Sequence, residues 1–421
     1  MLFKTYALLK YVGLILGVGG AFLQPALFSR HMSHDDFALL SFLYGIIAYL
    51  AFCDFGMHKP IYSALRKAHV SGGRVRKKLQ TYLSLYLLIL VMVGVFFAAV
   101  LMVMPGREIY RISRPTLGFF AFAASANLFL NYIEYIFNAL ELQVVFQKID
   151  ISRRAANIFS LLFLLVDSSF FLTICVNVAL LTGCCSYAIR SLGHRYGVQP
   201  QLDLKTSWAL VRRLWSKSRD SLTLTMSDTL IYNFGFLILP FFLGPADIIS
   251  YSLWLKVFFG GALIIRIIID IYIHDITRFH FLGEPSRAAA LLRKSIYLSL
   301  LLALGFSLAF FLVKTVLFAV WVKNVSAFSD HQYASLGIWL GALAIQGSAG
   351  TFLLSQGGSF AFMRNTSLWL MLAVCSAFTA LVASRVPLGT TLLFVGMINL
   401  VGSFVYLKKS TAVVKVEGVV L

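Results

Sequence analysis

The sequence predicts an all-α polytopic membrane protein with about 12 transmembrane helices in two halves of six. Of its 421 residues, 59% are apolar and only 13% are charged, whereas a soluble protein carries about 25% charged residues. Apolar runs of about 20 residues, long enough to cross ~30 Å of hydrocarbon as helices, recur from one end of the chain to the other. These runs must be helices because hydrocarbon offers the backbone no hydrogen-bond partner.

Each continuous apolar run is taken as one span. The stretch 153–189 is too long for a single crossing, and Asp167-Ser168-Ser169 predicts a tight turn that divides it. The predicted spans are 8–28, 37–57, 79–104, 116–138, 153–167, 169–189, 220–242, 248–270, 295–318, 333–356, 367–384 and 388–407.

Basic residues are distributed unequally between the two sides of the predicted membrane. The side that holds both termini collects 27 Lys and Arg residues, including Lys148, Arg153 and Arg154 at the start of span five, and the other side collects six. The positive-inside rule then places both termini in the cytoplasm. The net charge of +19 therefore reflects topology and contact with anionic lipid, and we expect no nucleic-acid partner.

The longest predicted cytoplasmic loop lies at the middle of the chain. It contains an amphipathic stretch from Trp208 to Trp215, which is typical of a helix lying at the membrane interface. We divide the chain into an N-terminal lobe (1–190), a cytoplasmic linker with this amphipathic helix (191–219) and a C-terminal lobe (220–421).

Two similar segments occupy the same hairpin of each half. They run from Met32 to Ser41 and from Leu243 to Ser252, and the offset of 211 residues aligns Asp36 with Asp247. Six spans per half give both halves the same orientation, so this is a parallel repeat. Many transporters are built from such repeats and bind substrate between them.

Polar residues form a stripe along span four. Their steps of four, three, four and three residues place all of them on one helical face; they are Asn127, Asn131, Glu134, Asn138 and Glu141. Two interpretations stay open at this point: interhelical hydrogen bonds or the lining of a cavity.

Charged residues also fall within spans two, seven and eight. Lys256 lies near the middle of span eight and is the strongest candidate for a cationic site, whereas Arg266 has Asp270 one turn away as a structural partner. In span seven, Asp228 either neutralises Lys256 or titrates during transport. In span two, Asp54 has His58 one turn on and is a candidate for ion coupling. The alternatives for Lys59 and Arg66, which follow it near the cytoplasmic mouth, are snorkelling and a functional entrance.

Two further patterns concern packing and metals. Gly13 and Gly17 have the GxxxG spacing that predicts close helix packing in span one. The five cysteines lie in or beside apolar runs without the spacing of metal ligands, so we expect neither a metal nor a cofactor.

The hairpins resemble those of bacterial polysaccharide flippases, the Wzx-type O-antigen transporters of the multidrug/oligosaccharidyl-lipid/polysaccharide (MOP) exporter superfamily. In that family an acidic turn is followed by Asp-x-Gly near the end of span two, which Asp54-Phe55-Gly56 matches. The second hairpin is similar to the family's start of span eight. The first turn departs from the pattern, because Ser33 and His34 stand where Gly and Pro are usual.

The resemblance implies a fold and a function. The fold would be two six-helix lobes around a central V-shaped cavity. The function would be transport, without enzymatic activity, of an undecaprenyl-diphosphate-linked oligosaccharide between the leaflets of the bacterial inner membrane. Expected partners besides membrane lipids are a polysaccharide polymerase and a chain-length regulator. The residues implied are Lys256, Arg266, Lys59 and Arg66 for the diphosphate, and Asn127, Asn131, Glu134, Asn138 and Gln346 for the polar lining.

Two rival functions remain at this stage. A cation-coupled exporter of small drugs on the same fold would use buried carboxylates, for which Glu134, Asp228 and Asp54 are available. A membrane glycan polymerase or glycosyltransferase is disfavoured, because the predicted topology leaves no large extracytoplasmic loop for a catalytic site.

Overall fold

The computed structural model describes residues 2–71, 73, 75–103, 112–166, 170–198, 204–322, 328–355 and 360–416. All regular secondary structure in these ranges is helical. The helices are α1 (Leu2–His31), α2 (His34–Ile47), α3 (His58–Val70), α4 (Val75–Val103), α5 (Arg114–Ala139), α6 (Gln143–Leu162), α7 (Phe170–Tyr196), α8 (Leu204–Asn233), α9 (Gly235–Phe242), α10 (Pro245–Phe281), α11 (Pro285–Leu312), α12 (Lys314–Trp321), α13 (Asp330–Ser355), α14 (Phe360–Ala383) and α15 (Leu388–Val416). Short 3-10 segments follow α2 (Ala48–Asp54) and α6 (Phe163–Leu165).

Ten helices in the described ranges are long and apolar enough to cross a membrane. The end of α8 and α9 together supply an eleventh segment, bent by 40°. At this bend Gly235 leaves room for the ring of Tyr251, which a Cβ atom would approach to 2.4 Å. The predicted class, an all-α polytopic membrane protein with about 12 transmembrane helices, is confirmed.

The chain divides into two compact units, Met1–Thr225 and Met226–Leu421. In the first unit, α5 packs against α4 and α7, and α6 packs against α1 and α7. In the second, α13 packs against α15 and α11, and α10 packs against α11. Each unit therefore has a helical core of its own.

The helix that contains the predicted start of span five begins earlier than that span. Helix α6 begins at Gln143, ten residues before the predicted position, after a turn in which Glu141 adopts a φ of 60°. Lys148, Arg153 and Arg154 consequently belong to a helix and not to a loop. Charged side chains interrupt the apolar run of α6, so hydropathy underestimates its length. The turn predicted at 167–169 lies outside the described residues.

The two similar hairpins have equivalent positions in the structure. Asp36 is the third residue of α2 and Asp247 is the third residue of α10. At the start of α2, the Ser33 hydroxyl accepts a hydrogen bond from the Asp36 backbone N–H at 3.2 Å. A carboxylate in the first turn also interacts favourably with the helix dipole, so both acids stabilise the start of the second span of their half.

The amphipathic stretch at the middle of the chain is helical, but it is not a helix of its own. It forms the first part of α8, which continues without a break into the next span. Trp208 and Trp215 are 71% and 46% exposed, as expected for aromatic side chains at a membrane interface.

Candidate functional site

A cavity of about 290 Å³ lies inside the N-terminal unit, between helices α1, α2, α5, α6 and α7. Most of its wall is apolar and includes Leu16, Phe120 and Phe170. The polar side chains reach it from all five of these helices and are Gln24, Tyr44, Asn127, Arg154, Asn157, Ser160, Thr173 and Asn177. Among the described residues that line it, Arg154 alone carries a formal charge.

An ion-pair cluster on α6 adjoins this cavity. Asp150 accepts hydrogen bonds from Arg153 Nη2 at 2.5 Å and from Arg154 Nε at 2.7 Å. The steps of three and four residues bring all three side chains to one helical face. Asp150 is only 6% exposed, so one buried carboxylate neutralises part of the charge of two guanidinium groups.

Arg153 connects this cluster to α5. One of its terminal nitrogens donates to the Asn131 side-chain oxygen and, at 3.4 Å, to the backbone carbonyl of Asn127. The polar stripe predicted on span four therefore supplies interhelical hydrogen bonds at Asn131, while the Asn127 side chain lines the cavity. Both interpretations of the stripe apply, at different residues.

Helix α1 makes room for the second guanidinium. A Cβ atom on Gly17 would lie 2.0 Å from Arg154 Nη1, and one on Gly13 would lie 3.6 Å from Asp150 Oδ2. The close packing predicted from the GxxxG spacing is thus observed between α1 and α6. Glycine at position 17 allows the charged end of Arg154 to lie against the α1 backbone.

An amide cluster faces the same cavity from α6 and α7. Asn177 Nδ2 donates to Asn157 Oδ1 and to Ser160 Oγ, both at 2.9 Å. Thr173, one turn before Asn177, is 2% exposed, and its hydroxyl has no hydrogen-bond partner among the described residues. A buried hydroxyl without a partner is costly, which makes Thr173 a group that a ligand would satisfy.

The remaining residues of the span-four stripe are Glu134 and Asn138, which lie farther along α5, and Glu141, which lies in the turn after it. Glu134 forms a side-chain hydrogen bond with Asn138. Glu141, at the turn that follows α5, pairs with Arg66 Nη1 at 2.7 Å. Because Arg66 and Glu141 are both partly exposed (37% and 58% of their side chains), this pair contributes little to stability.

Both carboxylate oxygens of Asp54 are engaged in hydrogen bonds with residues two and four positions later. Its carboxylate accepts from the backbone N–H of Gly56 at 2.8 Å and of His58 at 3.1 Å, and it lies 2.6 Å from His58 Nδ1. These contacts hold a turn in which Phe55 and Gly56 have φ angles of 51° and 70°. The Asp-x-Gly signature therefore shapes the connection to α3, on which Lys59 is exposed.

The other predicted residues lie in the C-terminal unit. On α10, Lys256 is half-buried, whereas Arg266 and Asp270 are exposed. Asp228 is exposed on α8, and the Tyr232 hydroxyl one turn later donates to Gln346 Oε1 at 3.5 Å. A role for these residues in binding stays a prediction.

The α6 cluster and the amides beside it were not predicted from the sequence. The sequence did contain a signal for the α6 cluster, because an acid followed by arginines three and four residues later is typical of a helix and not of a loop. Asn157, Thr173 and Asn177 gave no comparable signal, since single polar residues in apolar runs do not show which cavity they face.

The chain was compared with protein families, curated sequences and solved structures. No family model matches it, and no curated protein matches its sequence. An inward-facing multidrug resistance MATE family transporter of the MOP superfamily superposes with a TM-score of 0.72 at 10% identity, covering 98% of this chain and 99% of that one. The fold is that of the MATE transporters.

Two further MATE-fold structures support this assignment. A mutant of a MATE transporter from Vibrio cholerae matches with a TM-score of 0.63 at 14% identity, over 98% of this chain and 97% of that one. A MOP superfamily transporter from Pyrococcus furiosus, described as having a binding pocket of reverse polarity, matches at 0.62 and 10% identity, over 98% and 96%. The similarity covers the MOP superfamily fold in general and does not single out the O-antigen flippases within it.

Proposed function

We propose that this chain is a membrane transporter that exports small amphipathic molecules by alternating access. The observation that carries the proposal is the cavity in the N-terminal lobe of a MATE fold. Its mostly apolar wall with a few polar groups is typical of small-molecule sites, and its volume is close to the lower end of their range of about 300–1,000 Å³.

The repeated architecture supports alternating access. Transporters built from two similar halves move one half against the other around a substrate site, and the equivalent positions of Asp36 in α2 and Asp247 in α10 support a chain of this kind. The excess of basic residues on one side of the predicted membrane supports cytoplasmic termini, and we propose a bacterial inner membrane as the location.

Export against a gradient requires a coupling ion, and Glu134 is our candidate to carry it in the N-terminal lobe. Its carboxylate is half-buried on α5. By contrast, Asp54 already accepts two backbone hydrogen bonds and a contact from His58, so its exchange of a cation would break the turn before α3. Asp228 is the corresponding candidate in the C-terminal lobe.

The proposed function is tested with purified protein in proteoliposomes. We expect at least one member of a panel of anionic, neutral and cationic amphipathic dyes to accumulate only when a proton or sodium gradient is imposed. Glu134→Gln should reduce that accumulation at least about tenfold, because an uncharged amide cannot exchange the coupling cation. Accumulation of no dye under either gradient would contradict the proposal.

A flippase for undecaprenyl-diphosphate-linked oligosaccharide is the second candidate. A guanidinium on the cavity wall favours it, because a diphosphate needs fixed cations in place of water, and Lys256 supplies a further half-buried cation in the other lobe. The turn motifs that resemble Wzx-type transporters support the same candidate.

Replacing Lys256 separates the two candidates. In cells that depend on this protein for surface polysaccharide, Lys256→Met should abolish glycan export if the chain is a flippase, and lipid-linked repeat units should accumulate on the cytoplasmic face. An exporter of small molecules should keep its transport rate within about twofold. Lys294→Met is the matched control, since Lys294 is exposed on α11. Loss of dye transport without any change in glycan export would contradict the flippase.

A further inference from the structure

The charge and the hydrogen-bonding groups of the N-terminal cavity specify more than an amphipathic ligand. Arg154 uses Nε to bind Asp150, and this is its only hydrogen bond among the described residues. Its two terminal nitrogens make no hydrogen bond within the described part of the chain; Nη1 lies against the α1 backbone at Gly17, and the guanidinium lines the cavity. Paired nitrogens of this kind bind a carboxylate or phosphate through two parallel hydrogen bonds.

The α6 cluster at this end of the cavity is itself positive. Asp150 is shared between Arg153 and Arg154, so these three side chains together carry one excess positive charge, which the nearby Glu134 on α5 offsets in part. Burying a charge is costly, and an anionic ligand would reduce that cost. A cationic ligand would be repelled by the same guanidinium.

The amide cluster adds donors on the neighbouring part of the wall. Asn157 lies three residues after Arg154 on α6. Its side-chain oxygen accepts a hydrogen bond from Asn177, and its amide nitrogen makes no hydrogen bond among the described residues. The unpartnered hydroxyl of Thr173 lines the same space from α7. An oxyanion would accept hydrogen bonds from both groups.

The rest of the wall fits an apolar body. Phe120 on α5 and Phe170 and Ile174 on α7 line the cavity. A volume of about 290 Å³ suits a compact ring system or a short chain better than an oligosaccharide. Charge, donors and apolar surface are thus combined in one site.

We infer that the N-terminal cavity binds an organic anion, with its carboxylate or phosphate on Arg154, Asn157 and Thr173 and its apolar body against Phe120 and Phe170. The inference rests on the proposed function only in treating this anion as cargo; the binding itself does not depend on transport. The anionic group belongs either to a soluble molecule or to the head of a polyprenyl phosphate lipid.

Binding is tested with the full chain in phosphatidylcholine nanodiscs, using radiolabelled 1-naphthoate as the anion and 1-naphthamide as its neutral analogue. We expect naphthoate to bind saturably and at least about tenfold more tightly than naphthamide, after subtraction of binding to empty discs. Equal affinities for the two compounds would overturn the inference.

Variants locate the site. Arg154→Gln should weaken naphthoate binding on the order of 10- to 100-fold, as loss of hydrogen bonds to a charged group does, and Arg154→Lys should weaken it less. The matched control is Arg195→Gln, which removes the same charge from an exposed position on α7. Equal affinities in Arg154→Gln and Arg195→Gln would overturn the assignment.

Thr173→Val distinguishes a ligand contact from a structural role. Because the hydroxyl has no partner in the protein, its removal should leave the melting temperature unchanged or raise it, yet weaken naphthoate binding about 3- to 10-fold. A lower melting temperature with unchanged affinity would mean that the hydroxyl serves the fold instead.

Competition identifies the source of the anion. Displacement of naphthoate by farnesyl phosphate but not by farnesol indicates a polyprenyl phosphate head, whereas failure of both to compete indicates a soluble anion. If naphthoate binds as expected but no dye or anion is transported in proteoliposomes, the binding inference stands and the proposed export function fails.

Discussion

Replacing Asp150 by Asn should lower the free energy of unfolding by about 3–5 kcal/mol, the cost of removing one partner from a buried ion pair. Asp150 is the shared counter-ion of Arg153 and Arg154 and is 6% exposed. The substitution keeps the size of the side chain but removes the buried negative charge that two guanidinium groups share. Thermal unfolding of the purified protein in detergent measures the change.

A second ion pair of the same spacing provides the control. Arg287 donates to Glu284 at 2.7 Å across three residues, but its side chain is 68% exposed and that of Glu284 is 40% exposed. Glu284→Gln should therefore change stability by less than about 0.5 kcal/mol. Combining Asp150→Asn with Arg154→Gln should recover part of the lost stability, since it removes one of the unpaired charges. Equal melting temperatures for Asp150→Asn and Glu284→Gln would contradict this account.

Hydropathy alone was sufficient to predict the described helices that are long and apolar enough to cross a membrane. It failed at α6, where Arg153 and Arg154 are neutralised by Asp150 on the same helix and bonded to α5. A window average treats each of those charges as unpaired, so α6 is not among the helices that pass as membrane spans by length and hydropathy. The cost of a charge depends on its partners, and these become visible only when the helices are packed.

The candidate site was predictable only in part. The stripe on span four indicated a polar face, and Asn127 does reach the cavity. Asp54, predicted as a candidate for ion coupling, instead holds the turn before α3. Nothing in a single sequence separates these outcomes, because both residues are polar groups within apolar runs. The difference lies in which backbone groups and helices surround each side chain.

Gly56 is the position at which the smallest substitution should have the largest effect on the N-terminal lobe. Its φ of +70° is a conformation that costs other residues about 1–2 kcal/mol. A Cβ atom there would also lie 2.5 Å from both the Ser218 carbonyl oxygen and the Leu222 nitrogen of α8. These are backbone atoms, so no side chain can rotate away, and the helix itself must move.

Gly56→Ala should therefore lower the free energy of unfolding by about 2–5 kcal/mol, the sum of the backbone strain and of overpacking against α8. Size-exclusion profiles after heating give the melting temperature. Gly183→Ala is the matched control, because a Cβ at that position on α7 meets nothing within 4 Å; alanine there should be neutral or stabilise the helix by up to about 1 kcal/mol.

Two different substitutions of Gly56 also separate local backbone strain from contact with α8. If strain alone acts, Gly56→Ala and Gly56→Asn should differ by most of the backbone cost, since Asn tolerates a positive φ better than Ala does. If contact with Ser218 and Leu222 dominates, both should be strongly destabilised, because both carry the same Cβ. We expect the second result, since a separation of 2.5 Å from two backbone atoms cannot be relieved by any choice of side chain. A Gly56→Asn variant as stable as the unaltered protein would show that α8 yields at this point.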